Sequence, residues 1–149
     1  MTSGEALDYE FSHVHIYATE PITTVRWLTE GLGGEVVAER PLGSAVNTYV
    51  LIGGQHVTVR GRREAESFGE PVSGSSGIDH FGISVSDLPA ALEALRKRGI
   101  VPEALFDDGS SQGPVAAFLR GPDDIRVELT SHQTFQQQVV AGQLGGATS

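Results

Sequence analysis

Four of the chain's five histidines and one of its glutamates fall in two halves that read as copies of one another. The first half opens on Ser12-His13-Val14-His15-Ile16 and the second on Asp79-His80-Phe81-Gly82-Ile83. The first closes on Gln55-His56-Val57-Thr58-Val59 and the second on Ile125-Arg126-Val127-Glu128-Leu129. His80 follows His13 by 67 positions and Glu128 follows Thr58 by 70, so the repeat scarcely drifts. Imidazole and carboxylate suit Zn, Ni, Co, Mn or Fe(II). A duplicated unit can also bring matching side chains face to face across a pseudo-twofold axis. His13, His80 and Glu128 are therefore expected to hold one divalent metal ion, with His56 as a further candidate ligand.

Strands and helices must position that set. Residues 10–17 alternate as a strand, and Thr19-Glu20-Pro21 starts a helix with proline in its first turn. Ile22, Val25, Leu28 and Leu32 recur at helical spacing until Gly31-Leu32-Gly33-Gly34 ends the segment. A short strand over 36–38 precedes a longer one over 46–52, and Gly53-Gly54 turns the chain into a strand over 56–60. The first module, about residues 10–60, is thus β-α-β-β-β.

The second module, about 79–131, repeats the plan. A strand over 79–85 leads to a helix capped by Ser86 or Asp87 and carrying Leu88, Ala91, Leu92 and Leu95 on one face. Arg98-Gly99 ends that helix. Strands over 101–105, 115–120 and 125–130 follow, the last entered through Gly121-Pro122-Asp123-Asp124. Between the first two of these, the Asp, Gly and Ser of 106–113 suit a lid. Residues 61–78 read as a polar linker, whose Arg60-Gly61-Arg62-Arg63 run is either a solvated connector or a grip for an anion. Residues 132–149 form a C-terminal tail, with a helical extension over 133–138. Trp27 lies slightly off the apolar stripe of the first helix, placed for core packing or for subunit contact.

Side chains at i and i+2 of a strand share a face. Val14, Ile16, Val57, Val59, Phe81, Ile83, Val127 and Leu129 therefore make apolar faces for helices to cover. His13, His15, Tyr17, His56, Thr58, His80, Gly82, Ser84, Arg126 and Glu128 make the opposite, polar faces. Burying such groups without partners costs several kcal/mol for an unpaired charge, and a functional cavity removes that cost. Each residue alone also has an ordinary reading: His15 as a structural histidine, Glu128 as a partner of Arg126, His132 as a solvent-exposed side chain. The coincidence of His13, His80 and Glu128 at matching positions of a repeat favours chemistry.

Composition narrows the classes. A length of 149 residues with 39% hydrophobic and 19% charged residues suits a single domain over 1–149. A net charge of −9 argues against nucleic acid as a partner, because phosphate binding needs clustered Lys and Arg. With no cysteine, thiolate metal sites and disulfides are excluded. Met1 to Phe11 does not read as a signal peptide, and no apolar run approaches the roughly 20 residues of a membrane span. A cytoplasmic protein with no membrane partner is the expectation.

Two β-α-β-β-β modules, the Asp79-His80-Phe81-Gly82-Ile83 opening and the Gly121-Pro122-Asp123-Asp124-Ile125-Arg126-Val127-Glu128-Leu129 close resemble the vicinal oxygen chelate superfamily. This group includes glyoxalase I, methylmalonyl-CoA epimerase, extradiol dioxygenases, fosfomycin resistance enzymes and bleomycin-binding proteins. The resemblance covers about residues 10–131. It implies an α+β fold in which two tandem βαβββ modules form a curved, partly closed sheet around a metal cleft, helices outside. It implies metal ligands from the first and last strand of each module, falling on His13, Thr58, His80 and Glu128.

Thr58 departs from the Glu or Gln usual at its place, so His56 or water would substitute. The resemblance further implies a homodimer, sometimes with modules exchanged between subunits, and a small-molecule substrate that chelates the ion through adjacent oxygens. Three activities are compatible. One is a metal-dependent lyase or isomerase in which Glu128 is the base and His15 or His56 a second acid or base. Another is an Fe(II)-dependent extradiol-type dioxygenase on the same two histidines and carboxylate. The third is a drug-binding protein of the bleomycin-resistance type. Tyr17, Tyr49, Thr58, Ser84 and Arg126 are the expected substrate-lining residues.

Overall fold

The computed structural model describes residues 10–70, 76–109 and 113–135. Two four-stranded sheets form it, one from each half of the chain. In the first, β1 (His13–Tyr17), β2 (Glu35–Leu42), β3 (Ala45–Ile52) and β4 (Gln55–Arg60) lie in the order β1-β4-β3-β2. In the second, β5 (Phe81–Val85), β6 (Ala104–Phe106), β7 (Ala116–Arg120) and β8 (Arg126–Ser131) lie in the matching order β5-β8-β7-β6. The first strand of each module runs parallel to the last, and the remaining pairings are antiparallel. The sheets are two separate hydrogen-bonded ladders and do not close into a barrel. The architecture is α+β, as the resemblance implies.

Helix α1 (Pro21–Arg26) runs on into a π-helical turn over Trp27–Gly31. There Leu32 N–H reaches the Trp27 carbonyl at 3.1 Å instead of the residue four back. Helix α2 (Leu88–Lys97) is capped by Asp87, whose carboxylate accepts from Ala90 N–H at 2.9 Å. A short helix α3 (His132–Phe135) follows β8. Residues 136–149, with the second half of the expected extension over 133–138, lie outside the described residues, as do 110–112 of the expected lid and 71–75 of the linker.

Among the strand boundaries that differ from the sequence reading, three have a local reason. β2 spans eight residues, not three: it is an edge strand, where Pro41 can sit without depriving a neighbour of a donor, and a bulge between Val36 and Ala38 interrupts its alternation. β6 starts only at Ala104, after Pro102 has prevented an earlier ladder. β5 starts at Phe81, so Asp79 and His80 precede the strand and lie outside its ladder.

The apolar faces meet in one continuous core. Ile16, Leu28, Val50, Val57 and Val59 are buried on the first module; Leu88, Leu95, Leu119, Val127 and Leu129 are buried on the second. Trp27, Leu32, Phe81, Ile83 and Ile125 pack against both groups and join the modules. Polar links reinforce the seam: Thr19 N–H donates to Asp123 at 2.9 Å, and Arg98 donates to the Gly31 carbonyl at 2.9 Å. Trp27 is thus a core residue between modules, seated on Gly121. A Cβ at Gly121 would stand 2.8 Å from three carbons of the indole.

That close approach has a measurable consequence. Gly121 has φ −100°, which any residue adopts, so Gly121→Ala tests the steric contact alone. Overpacking of this kind costs about 1–3 kcal/mol, and the urea midpoint of the variant should fall accordingly. Gly69→Ala, where a Cβ meets nothing within 4 Å, should leave the midpoint unchanged.

Candidate metal and substrate site

Parallel pairing of β5 with β8 sets Gly82 opposite Glu128 and brings the Asp79-His80 opening to the same end of the sheet. His80 Nε2 lies 3.2 Å from Glu128 Oε2, and His80 Nδ1 lies 2.6 Å from Asp79 Oδ2. Both His80 and Glu128 are about a quarter to a third exposed, with side-chain values of 30% and 27%. A carboxylate on Nδ1 fixes the tautomer and leaves Nε2 as the outward donor, the arrangement that supports a metal-bound imidazole. Two ligand atoms each about 2.1 Å from a common ion stand about 3.0–3.4 Å apart. The His80 and Glu128 donors meet that spacing.

Asp79 is held in turn. Arg126 Nη1 donates to Asp79 Oδ2 at 2.8 Å, and Arg126 Nε donates to Glu103 Oε1 at 2.7 Å. The guanidinium lies 4.2 Å above the Phe118 ring, which itself meets His80 edge-on at 5.3 Å. The hydrogen bond with His80 and the charge of Arg126 keep the Asp79 carboxyl below its ordinary range. Bonds from Arg120 and then Arg126 do the same for Glu103. The sequence reading offered Arg126 as partner of Glu128 and as a substrate contact. The structure instead commits it to Asp79 and Glu103, because groups on neighbouring elements lie nearer than a residue two along the same strand.

The first module carries the counterpart. β1 pairs with β4 so that His13 faces His56 and His15 faces Thr58. Ser12 Oγ lies 2.8 Å from His13 Nδ1, the place that Asp79 Oδ2 takes at 2.6 Å from His80 Nδ1. His15 sits between His13 and Tyr17, with ring centres 6.1 and 5.5 Å away. Partial burial, then the charge of Arg60 and then that of His13, lower the His15 pKa from its ordinary 6.5. His15 is therefore mainly neutral near pH 7 and able to accept a proton.

Thr58 is 1% exposed, and its Oγ1 has no hydrogen-bond partner among the described residues. It occupies the position at which the second module has Glu128. Tyr49 pairs with Thr58 across β3 and β4, as Phe118 pairs with Glu128.

Residues 61–70 do more than connect. Arg60, 4% exposed, donates to Glu66 at 2.6 and 3.1 Å, and Arg63 closes on the same carboxylate through its backbone N–H at 2.9 Å and its Nε at 2.8 Å. The basic run grips an internal anion. This clasp lays Phe68 flat on Tyr17, ring centres 4.7 Å apart, with the Arg60 guanidinium 4.5 Å from the Tyr17 ring. The bonds from Arg60 and Arg63 hold the Glu66 carboxyl far below its ordinary 4.5.

The structure thus unites His80 with Glu128, and places His13 beside His15 and opposite His56, on separate modules. Among the described residues, no three His, Asp or Glu side chains of one chain lie close enough to hold a metal ion. Ser84 turns to His132, its Oγ 2.8 Å from His132 Nδ1, with both on the rim of a cavity of about 350 Å³ between Val14, Val57, Phe81 and Ile83. Sequence reasoning gave no role to Asp79, Glu103, Phe118, Glu66 and Phe68, and named Arg60 only within the basic run. Asp79 left a signal, as the residue beside His80 at the position of Ser12.

Residues 10–129 match the Glyoxalase/Bleomycin resistance protein/Dioxygenase superfamily. The chain belongs to that superfamily. Its fold is similar to the trypanothione-dependent glyoxalase I of Leishmania major, with a TM-score of 0.75 and 16% identity over 95% of this chain and 100% of the other. A glyoxalase family protein from Enterococcus faecalis gives a TM-score of 0.67 at 25% identity, over 82% and 97% of the two chains. TnmS3, an antibiotic-binding protein from a Streptomyces species, gives 0.62 at 12% identity, over 85% and 98%. Comparison of the sequence with curated proteins finds no match. These vicinal oxygen chelate relatives include catalysts and binders on one fold, so the family alone does not select the activity.

Two substitutions probe the first module of this family member. Thr58→Val keeps the shape and removes the orphan hydroxyl; it should raise stability by about 1 kcal/mol in urea titration and leave metal content unchanged. Glu66→Gln should lower the denaturation midpoint at pH 7. A depressed carboxyl stabilises the fold above its ordinary pKa of 4.5 and ceases to do so as pH falls through its folded-state value. The gap between wild type and variant should therefore persist to about pH 4 and close only in stronger acid.

Proposed function

We propose that this protein is a metal-dependent, glyoxalase-like lyase or isomerase acting on a small substrate that chelates the ion through adjacent oxygens. The observation that carries the reading is the His80 Nε2 to Glu128 Oε2 spacing of 3.2 Å, with His80 Nδ1 already held by Asp79. His80 and Glu128 form half of a site. His13, similarly held by Ser12, supplies the other half from a second copy of the chain, giving two histidines and one carboxylate. His56, opposite His13 on β4, is the candidate fourth ligand in place of the missing carboxylate at Thr58.

A bound divalent ion would supply Lewis acidity toward the two substrate oxygens. The remaining chemistry belongs to side chains. Glu128 is the candidate base for a proton on the carbon next to a carbonyl, within reach of the ion's own position. His15, neutral at pH 7, accepts or returns a second proton. Tyr17, stacked on Phe68, and Tyr49 offer aromatic walls.

A second reading, ligand sequestration without chemistry, is favoured by one observation: no three-donor group exists within a single chain among the described residues. The likeness to an antibiotic-binding fold is compatible with it. The same two histidines and one carboxylate would also serve an Fe(II) oxygenase.

Elemental analysis of purified protein distinguishes these readings. Wild type should carry up to one divalent ion per chain, and His13→Ala, His80→Ala and Glu128→Ala should each lose most of it. Metal-free protein that retains full ligand affinity would support sequestration, and oxygen uptake dependent on Fe(II) would support the dioxygenase. Reassembling His13→Ala chains with His80→Ala chains should restore one intact site in each mixed pair. Lack of any recovery in verified mixed pairs would exclude a site shared between copies.

A further inference from the structure

We infer that Arg126 is a positioning residue for the His80 side of the site, acting through Asp79 and braced by Glu103. This inference rests on the proposal that His80 and Glu128 are metal ligands. Hydrogen bonds link side chains from three segments: Glu103 to Arg126 at 2.7 Å, Arg126 to Asp79 at 2.8 Å and Asp79 to His80 at 2.6 Å, and His80 Nε2 then faces Glu128 Oε2 at 3.2 Å. Asp79 is 69% exposed and precedes β5, so no ladder fixes it. Among the described residues, the Asp79 carboxylate is bonded by His80 and Arg126 alone.

Arg126 has what such a role requires. It is only 26% exposed, is anchored within β8 two residues from Glu128, and has its guanidinium plane packed over Phe118 at 4.2 Å. Phe118 in turn bounds the His80 ring at 5.3 Å. The planar fork spends one N–H on Glu103 and another on Asp79, which a point-charge lysine cannot reproduce with the same geometry. Arg126 therefore sets where the Asp79 oxygen stands, and Asp79 sets the tautomer and orientation of His80. Among the described residues the first module has no equivalent chain: His56 occupies the place of Arg126 and Ser12 that of Asp79, and His13 Nδ1 is met there by the Ser12 hydroxyl alone.

The test uses full-length protein and two readouts. Zn(II) titration by calorimetry should show Asp79→Asn weakened about 10–100-fold and Arg126→Gln weakened less, about 3–10-fold, with partial recovery in Arg126→Lys. Because Arg126 acts through Asp79, the double variant should bind no more weakly than Asp79→Asn alone. A further loss in the double variant would show an independent role and overturn the inference.

Ring nitrogen NMR of His80 in metal-free protein is the second readout. Wild type should show one tautomer with the proton on Nδ1, and Arg126→Gln and Glu103→Gln should each show a mixture. Arg96→Gln, which breaks only the exposed pair with Glu93, should match wild type. An unchanged His80 spectrum in both Arg126→Gln and Glu103→Gln overturns the inference even if no Zn(II) binds. Failure of wild type to bind Zn(II), with the ring spectrum changed as expected, would instead refute the metal-site reading and leave the positioning chain standing.

Discussion

Parallel pairing of the first and last strand of each module is the constraint from which the site follows. A crossover of helix and two strands separates residues 80 and 128, yet the register of β5 on β8 makes them neighbours. A shift of one residue would turn Glu128 to the opposite face and put Val127 or Leu129 beside His80. Register is held by the apolar alternates: Phe81 and Ile83 on one strand and Val127 and Leu129 on the other are buried or packed in the core. The donors are exact in position because the hydrophobic residues between them have only one face on which to lie.

The same packing explains why each chain presents its donors as two sets. Trp27, Leu32, Phe81, Ile83 and Ile125 serve both core groups, so the modules are fused along their apolar sides. Fusion there uses up the surface that would otherwise let each module pack independently. The polar residues that alternate with these are left to separate groups: His13, His15 and Tyr17 in one, His80, Glu128 and Arg126 in the other. Duplication therefore left two polar clusters, and the apolar seam keeps them apart within one polypeptide.

Much of this was legible in the chain itself. Strict alternation in 13–17, 55–60 and 126–130 reveals strands, and the near-constant repeat distance reveals the modules. Proline and bulge effects escaped the pattern, since Pro41 is tolerated only because β2 lies at an edge, and the delay of β6 depends on Pro102. The adjacency of His80 and Glu128 was readable because both modules report it. The Glu103–Arg126–Asp79 chain was not, because it joins a loop, a strand and a pre-strand residue that share no period. Glu66 was hidden for a similar reason: its partners Arg60 and Arg63 looked like a solvated basic run until the chain folded back.

Divergence of the two modules carries a stereochemical consequence. Where one has His15 over Thr58, the other has Gly82 over Glu128, and where one has His56, the other has Arg126. One surface is rich in imidazole and hydroxyl; the other is a carboxylate beside a neutralised guanidinium, with Gly82 leaving the space above Glu128 open. A molecule held between two such unlike surfaces would meet different chemistry at each end, although the backbone around it is nearly twofold symmetric. Two ends that a true twofold axis would make equivalent are told apart by the lost symmetry of the repeat, which fixes the direction in which such a molecule lies.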